Sequence, residues 1–117
     1  GFGMGTPQDD FLESMAEAAK GIAEYMGENI LYIDVMYNLS VDCDCMSHPA
    51  PPTMADIGIL ASLDPVALDQ ACVDLIYTAP DSADVIQRIE SRNGTHILEH
   101  AAAIDFGNRE YELVNLD

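Results

Sequence analysis

Apolar residues recur at helical spacing in the first part of the chain, and polar residues lie between them. The apolar positions of this stretch are Phe11, Met15, Ala18, Ile22 and Met26. Thr6 can cap a helix and Pro7 suits its first turn, while Gly27 is a residue that commonly ends one. The pattern therefore predicts a first helix that begins at Pro7 and ends just before Gly27.

The second half of the chain has the pattern of three further helices. Each stretch begins at a residue that caps helices and stops at a proline or a glycine. Cys72 lies on the apolar face of the first of the three, so we predict that it is a core residue. The first of these helices is predicted to start at Asp64-Pro65 and to end at Ala79-Pro80. The second starts at Asp81 or Ser82 and ends at Asn93-Gly94, and the third starts at Thr95 and ends at Gly107.

Three other stretches are typical of β-strands. Residues 29–38 are mostly apolar and only Asp34 interrupts them, which predicts a strand covered on both faces. A shorter strand is predicted at 56–61. Residues 109–116 alternate in polarity, and this alternation predicts a closing strand.

The order helix, strand, strand, three helices, strand predicts an α/β fold. We expect a small layered domain with a short mixed sheet of about three strands, flanked by about four helices. At 117 residues the sequence fits one domain, which we place at residues 6–117 after a flexible lead at 1–5. Two connections at most can be crossovers, so the sheet is consistent with half of a larger one.

The charge of the chain restricts its partners. Four Lys and Arg residues against 21 Asp and Glu residues give a net charge of −17. This charge repels phosphate backbones and anionic lipids, so we expect neither nucleic acid nor a membrane surface as a partner. A metal ion, a cationic ligand or a basic protein surface remains compatible, and a well-solvated acidic surface explains the charge without any partner.

The expected location is the cytoplasm. No apolar run approaches the length of a membrane-spanning helix, and the first residues lack the features of a secretory signal. Three cysteines, an odd number, argue against a disulfide framework and fit a reducing compartment.

The chemistry-bearing residues are concentrated between Val41 and Asp69. Cys43 and Cys45 are separated by one residue, so in an extended backbone both thiols point to one side. Thiolates are good ligands for zinc or iron, a histidine nearby can add an imidazole, and aspartates can ligate or orient the ligands. The candidate metal ligands are Cys43, Cys45, Asp42, Asp44, His48 and Asp56.

Other interpretations of the same segment stay open. Common zinc and iron–sulfur motifs use C-x₂-C, which this chain lacks, so the aspartates can be turn formers and the cysteines can be idle. A Cys43–Cys45 disulfide would be strained, and the acidic neighbours would raise thiol pKa values and slow exchange. Cysteine nucleophile chemistry with His48 or His96 as the base has no support from the spacing.

Two aspartates and two histidines outside that motif are also candidates. Asp64 is interpreted as a helix cap first and as a pocket acid second. Asp69 is either exposed or placed over the strand ends, where ligands of open α/β sheets bind. His96 and His100 are four residues apart on one helix face, but no third metal ligand accompanies them, so we predict solvated or capping roles.

Three segments carry a resemblance to a known family: Asp42-Cys43-Asp44-Cys45, Asp56-Ile57-Gly58 and the DPVALD sequence from Asp64 to Asp69, with GNREYELV near the end. Over roughly residues 16–117 the chain resembles the DUF362 family, in particular the C-terminal part of its uncharacterised Fe–S centre proteins. In such proteins a ferredoxin-like module with clustered cysteines would hold [4Fe–4S] clusters. That module is absent from this sequence, and three cysteines cannot supply the four ligands of one cluster.

The resemblance implies a domain of an iron–sulfur-type DUF362 protein. Its metal or ligand site would lie in the DCDC loop, named after residues 42–45, and would serve a redox partner, the ferredoxin-like module of the same parent protein. No cofactor is assigned with certainty: zinc or iron at Cys43 and Cys45 is the candidate, and a [4Fe–4S] cluster is expected only in the ferredoxin-like module. The alternative is a non-catalytic structural or oligomerisation domain without a bound metal, and a homo-oligomer is compatible with either. Neither interpretation assigns a catalytic residue, a substrate or a reaction.

Overall fold

The computed structural model describes residues 7–117, and the predicted lead at 1–5 and the Thr6 cap lie outside this range. The α/β prediction with four helices is confirmed. None of the helices in residues 7–117 is long and apolar enough to cross a membrane. The elements in chain order are α1 (Gln8–Met26), β1 (Tyr32–Met36), β2 (Gly58–Ser62), α2 (Pro65–Thr78), α3 (Ala83–Ser91) and α4 (His96–Ala103).

The sheet of the described residues has two antiparallel strands instead of three strands in mixed directions. Tyr32 of β1 pairs with Ser62 of β2, and the register continues to the pair of Met36 and Gly58. The third predicted strand, 109–116, does not form. Its first part is held against α2 by side chains instead, since Tyr111 Oη donates to Asp74 Oδ2 at 2.6 Å.

The core lies between α2 and one face of the sheet. Leu68, Cys72 and Ile76 of α2 are buried against Met36 of β1 and against Val85 of α3. The prediction that Cys72 is a core residue is confirmed, since it exposes 8% of its surface. A second buried cluster joins α1 to α4 and to the start of α2, through Ala16, Val66, Leu98 and Ala101.

Only one face of the sheet is covered, although the apolar run at 29–38 predicted cover on both. Tyr32, Asp34 and Met36 face α2, because alternate residues of a strand point to the same side. The residues between them, Ile33 and Val35, expose 57% and 59% of their surfaces. The chain folds a helix onto one side of β1 and β2, and no described element packs on the other side.

The start of α2 confirms the prediction that Asp64 is a helix cap. Its Oδ1 accepts hydrogen bonds from the backbone N–H groups of Val66 at 2.9 Å and Ala67 at 3.1 Å. Its Oδ2 accepts a third from Asn108 N at 2.8 Å, which ties the segment after α4 to α2. The carboxylate is therefore fully used in holding two parts of the fold together.

The sequence predicted that Gly107 ends α4, but it does not. The helix stops at Ala103, and the left-handed residue after it is Asp105, with φ of 63°. Gly107 has a different function, because a Cβ at this position would overlap the carboxylate of Asp64. The glycine allows the chain to approach close enough for Asn108 to bond to Asp64.

Candidate functional site

The DCDC loop joins β1 to β2, and its base is anchored to α3. Arg88 Nη1 donates to the carbonyl of Val41 at 2.6 Å and to Asp42 Oδ1 at 3.3 Å. The second oxygen of Asp42 accepts from Ala50 N at 2.9 Å, and Ser40 Oγ donates to the carbonyl of Ala50 at 2.6 Å. These bonds close the loop on itself, so Asp42 acts as a structural residue that fixes its position.

The two thiols of the loop point away from this base. Cys43 and Cys45 are both free and exposed, and Asp44 between them is exposed as well. The backbone N–H of Cys45 donates to Cys43 Sγ at 3.3 Å, which places the two residues in one tight turn. The loop thus presents a pair of thiols on a held backbone, with a carboxylate beside them.

The surroundings of Cys45 favour the protonated state of its thiol. A hydrogen bond with Cys43 raises the pKa of Cys45, and the charges of Cys43 and Asp44 act in the same direction. A raised thiol pKa means that little thiolate is present at neutral pH, which disfavours nucleophilic and thiol–disulfide chemistry. A metal cation can still bind, because it displaces the thiol protons.

The remaining predicted ligands are not gathered around the thiols. Asp56 Oδ1 accepts from Asn38 N at 2.8 Å and so supports the left-handed Asn38, whose φ is 55°. His48 is exposed, with Nδ1 3.3 Å from Ser47 Oγ. In residues 7–117, no three His, Cys, Asp or Glu side chains are grouped so that they could hold a metal ion. Cys43 and Cys45 therefore remain as an incomplete ligand set.

A second group of polar side chains lies between β1 and α2. Cys72 Sγ donates to Asp34 Oδ2 at 3.2 Å, and Asp69 lies beside the same carboxyl group. Packing around the carboxyl and its hydrogen bond with Asp34 raise the pKa of Asp69 to about 7, although the residue as a whole is exposed. Burial and the bond to Asp34 raise the pKa of Cys72 to about 12, so this thiol stays protonated.

Asp69 also lines an apolar cavity of about 350 Å³ between α1, α2 and α4. The walls include Met15 and Ile22 of α1, Ile97 of α4, and Phe106. Of the two predicted pocket residues, Asp69 therefore faces a cavity, while all the contacts of Asp64 described above serve the fold. The sequence predicted either exposure or a place over the strand ends for Asp69, and Asp34 was not singled out beside it.

The histidines of α4 contact α1 instead of standing free in solvent. His96 Nε2 lies 2.7 Å from Glu13 Oε2, and this hydrogen bond raises the pKa of His96. His100 Nε2 lies 3.6 Å from Glu17 Oε1. The pair at four-residue spacing thus links two helices through glutamates.

Two residues that shape these sites were not singled out from the sequence. Asp34 is the only charged residue in the apolar stretch of β1, and this isolation was an available signal for a special role. Arg88 is one of only four Lys and Arg residues in a chain of net charge −17. No local pattern connects it with Asp42, which is 46 residues away in the sequence.

These features define a small α/β domain that presents paired thiols on an anchored loop. The chain belongs to the DUF362 family: the family model described as "Domain of unknown function (DUF362)" matches residues 3–74. The match spans α1, both strands, the DCDC loop and most of α2. It confirms the family that the DCDC and DPVALD segments resemble. Searches of curated proteins and of solved structures found no match.

Replacing Arg88 with methionine is expected to loosen the DCDC loop, because Asp42 and the Val41 carbonyl lose their donor. Since the pair is partly exposed, we expect a loss of about 1 kcal/mol in the free energy of unfolding. Hydrogen exchange at the Ala50 amide should become faster. Arg92→Met is the matched control, and equal exchange at Ala50 in both variants would contradict the anchoring role.

Proposed function

We propose that this chain is a domain of an iron–sulfur-type DUF362 protein, and that Cys43 and Cys45 supply two thiolate ligands to a zinc or iron site. The observation that carries the proposal is the placement of both thiols at the exposed end of a loop whose base Arg88 and Asp42 hold in position. Fixed geometry is what a metal site requires.

The remaining ligands come from a second polypeptide segment. Zinc and iron sites with thiolate ligands generally have four ligands, and a [4Fe–4S] cluster takes four cysteines. Cys72 cannot join Cys43 and Cys45, because it is buried in the core and bonded to Asp34. The described residues do not fit a whole cluster, so the partner in this proposal is the ferredoxin-like module of the same parent protein.

The electrostatics of the loop favour a cation as its ligand. Asp44 lies between the thiols, and the chain as a whole has a net charge of −17. Negative charge attracts a divalent ion, while the raised pKa of Cys45 couples metal binding to proton release. The affinity for metal should therefore rise with pH. The three free thiols fit a reducing compartment, and we place the protein in the cytoplasm on that basis.

The test is a titration of the reduced, untagged protein with Zn²⁺ and with Co²⁺. In the isolated chain, water or a second copy of the chain takes the ligand positions that the partner module would fill. We therefore expect one ion per chain or per pair of chains, a thiolate-to-cobalt charge-transfer band, and release of protons on binding. The Cys43→Ser/Cys45→Ser double variant should lose the band and the bound ion. His48→Gln, a change three residues from the motif, should keep both.

Metal-free protein that gives no cobalt–thiolate band, with the same thermal stability in chelator and in Zn²⁺, would overturn the proposal. The function would then be that of a structural domain in which the DCDC loop is a turn. Retention of the ion by the double variant would place the metal elsewhere and would equally contradict the assignment of the two thiols.

A further inference from the structure

The face of the sheet that points away from α2 is apolar throughout. It consists of every second residue of the two strands. The same alternation is continued to the residue before β1, the residue after β1 and the residue after β2. None of its residues is Asp, Glu, Lys, Arg or His, although 21 of the 117 residues are Asp or Glu. We call this surface the outer face, and its residues are Leu31, Ile33, Val35 and Tyr37 on the side of β1 and Ile59, Ala61 and Leu63 on the side of β2.

The outer face is too large and too apolar for an ordinary solvated surface. Leu31 exposes 61% of its surface, Ile59 62% and Leu63 74%. Together the seven residues present on the order of 700 Å² of contiguous apolar surface, more than the roughly 300 to 600 Å² of the largest patch on a typical monomer.

We propose that a second copy of this chain covers the outer face and forms a symmetric dimer. The area agrees with this occupant, since each partner in a standard interface buries about 800 Å². Two sheets pack face to face at about 10 Å, and a two-fold axis places the same patch on both partners. The dimer then has the layer order helix, sheet, sheet, helix, with α2 on each outside.

The strand register gives the outer face a shape that can complement itself. Ile33 is paired with the small Ala61, while Val35 is paired with Ile59, so a hollow lies beside a ridge. In a two-fold arrangement the ridge of one copy can fill the hollow of the other. The absence of acidic and basic side chains matters equally, because it keeps the charges of two acidic chains away from the centre of the contact. Salt should strengthen the dimer by screening the remaining repulsion.

The experiment is a mass measurement on the full chain over a wide concentration range, by sedimentation equilibrium or light scattering. We expect a mass twice the 12.7 kDa of one chain, with tighter association at higher salt. Reducing buffer with chelator excludes disulfide-linked and metal-linked dimers. The same mass in the Cys43→Ser/Cys45→Ser variant separates this inference from the metal site.

Val35→Glu places a charge at the centre of the outer face and should weaken the dimer at least about a hundredfold. Val35→Thr keeps the β-branched shape that suits a strand and should weaken the dimer about tenfold. This variant provides the test if Val35→Glu fails to fold. Leu116→Glu is the control, since Leu116 is 94% exposed and lies outside the sheet.

Three outcomes would overturn the dimer. The first is a monomer at all concentrations, which would mean that a different protein segment covers the outer face. The second is a dimer that Val35→Glu and Val35→Thr leave unchanged while both variants stay folded. The third is association without a defined stoichiometry, which would identify the surface as an aggregation site.

Discussion

Replacing Asp64 with alanine is expected to lower the free energy of unfolding by about 2 to 3 kcal/mol. The variant loses two hydrogen bonds to the first turn of α2 and the bond to Asn108. Loss of a cap alone typically costs about 1 kcal/mol, and the link to the segment after α4 adds to it. Urea denaturation followed by circular dichroism measures the change.

Two further variants separate the two functions of Asp64. Asp64→Ser keeps an acceptor for the helix but is too short to reach Asn108, so we expect about half of the loss. Glu110→Ala removes an exposed carboxylate from the same C-terminal segment and should have little effect. If Asp64→Ser were as unstable as Asp64→Ala, the cap would contribute nothing, contrary to the structure.

The helices could be predicted from the sequence because their signals are local. Asp64 and Pro65 start α2 as the pattern predicted, and Gly27 follows the last residue of α1 with φ of 66°. Capping depends on residues within one turn of each other, so the sequence contains all the information needed. Gly107 shows the limit of this reasoning. It has the form of a helix-ending residue, but its contact is with Asp64, 43 residues earlier.

The strands were harder to predict, since pairing and cover are properties of the whole fold. Residues 109–116 have the alternation of a strand, yet Arg109 and Tyr111 bond to Gln70 and Asp74 of α2. The apolar stretch of β1, which only Asp34 interrupts, predicted cover on both faces. It could not show that this chain alone covers only one of them. The exposed Ile33 and Val35 are the physical result.

The candidate site was predictable in its residue types and unpredictable in its geometry. Cys43 and Cys45 are where the motif placed them, in a loop with an aspartate between them. Asp42 and Asp56 have the residue type of metal ligands, but the fold uses them to hold Ala50, Arg88 and Asn38 in place. Which carboxylates remain free for a ligand depends on such long-range bonds, and a sequence pattern does not contain them.

Asp69 should make the folded state less stable as the pH rises. Its pKa is about 7 in the folded chain, above its ordinary value of about 3.9 in an unfolded chain, so the folded state holds the extra proton between these values. The contribution of Asp69 to stability is therefore fully present below about pH 4 and is lost as the pH rises to about 7. The whole shift would correspond to about 4 kcal/mol, which solvent screening of this exposed residue reduces to about 1 to 2 kcal/mol.

Asp69→Asn should remove this dependence, because the amide stays neutral and can donate to Asp34 at every pH. Urea midpoints at about pH 5 and about pH 8 should be more similar in the variant than in the wild type, with the gain in stability at the higher pH. Asp84→Asn, a neutral replacement in the first turn of α3, is the control for the change in net charge.

His96 also loses its stabilising effect with rising pH, because its pKa is raised, but only as the pH passes upward through that raised pKa. The comparison is therefore repeated in a His96→Gln background. If the difference in urea midpoint between the chain with Asp69 and the chain with Asp69→Asn is the same in that background, Asp69 is the source of the pH dependence. Equal pH dependence with and without Asp69 would mean that the pKa of Asp69 is not raised in the folded chain.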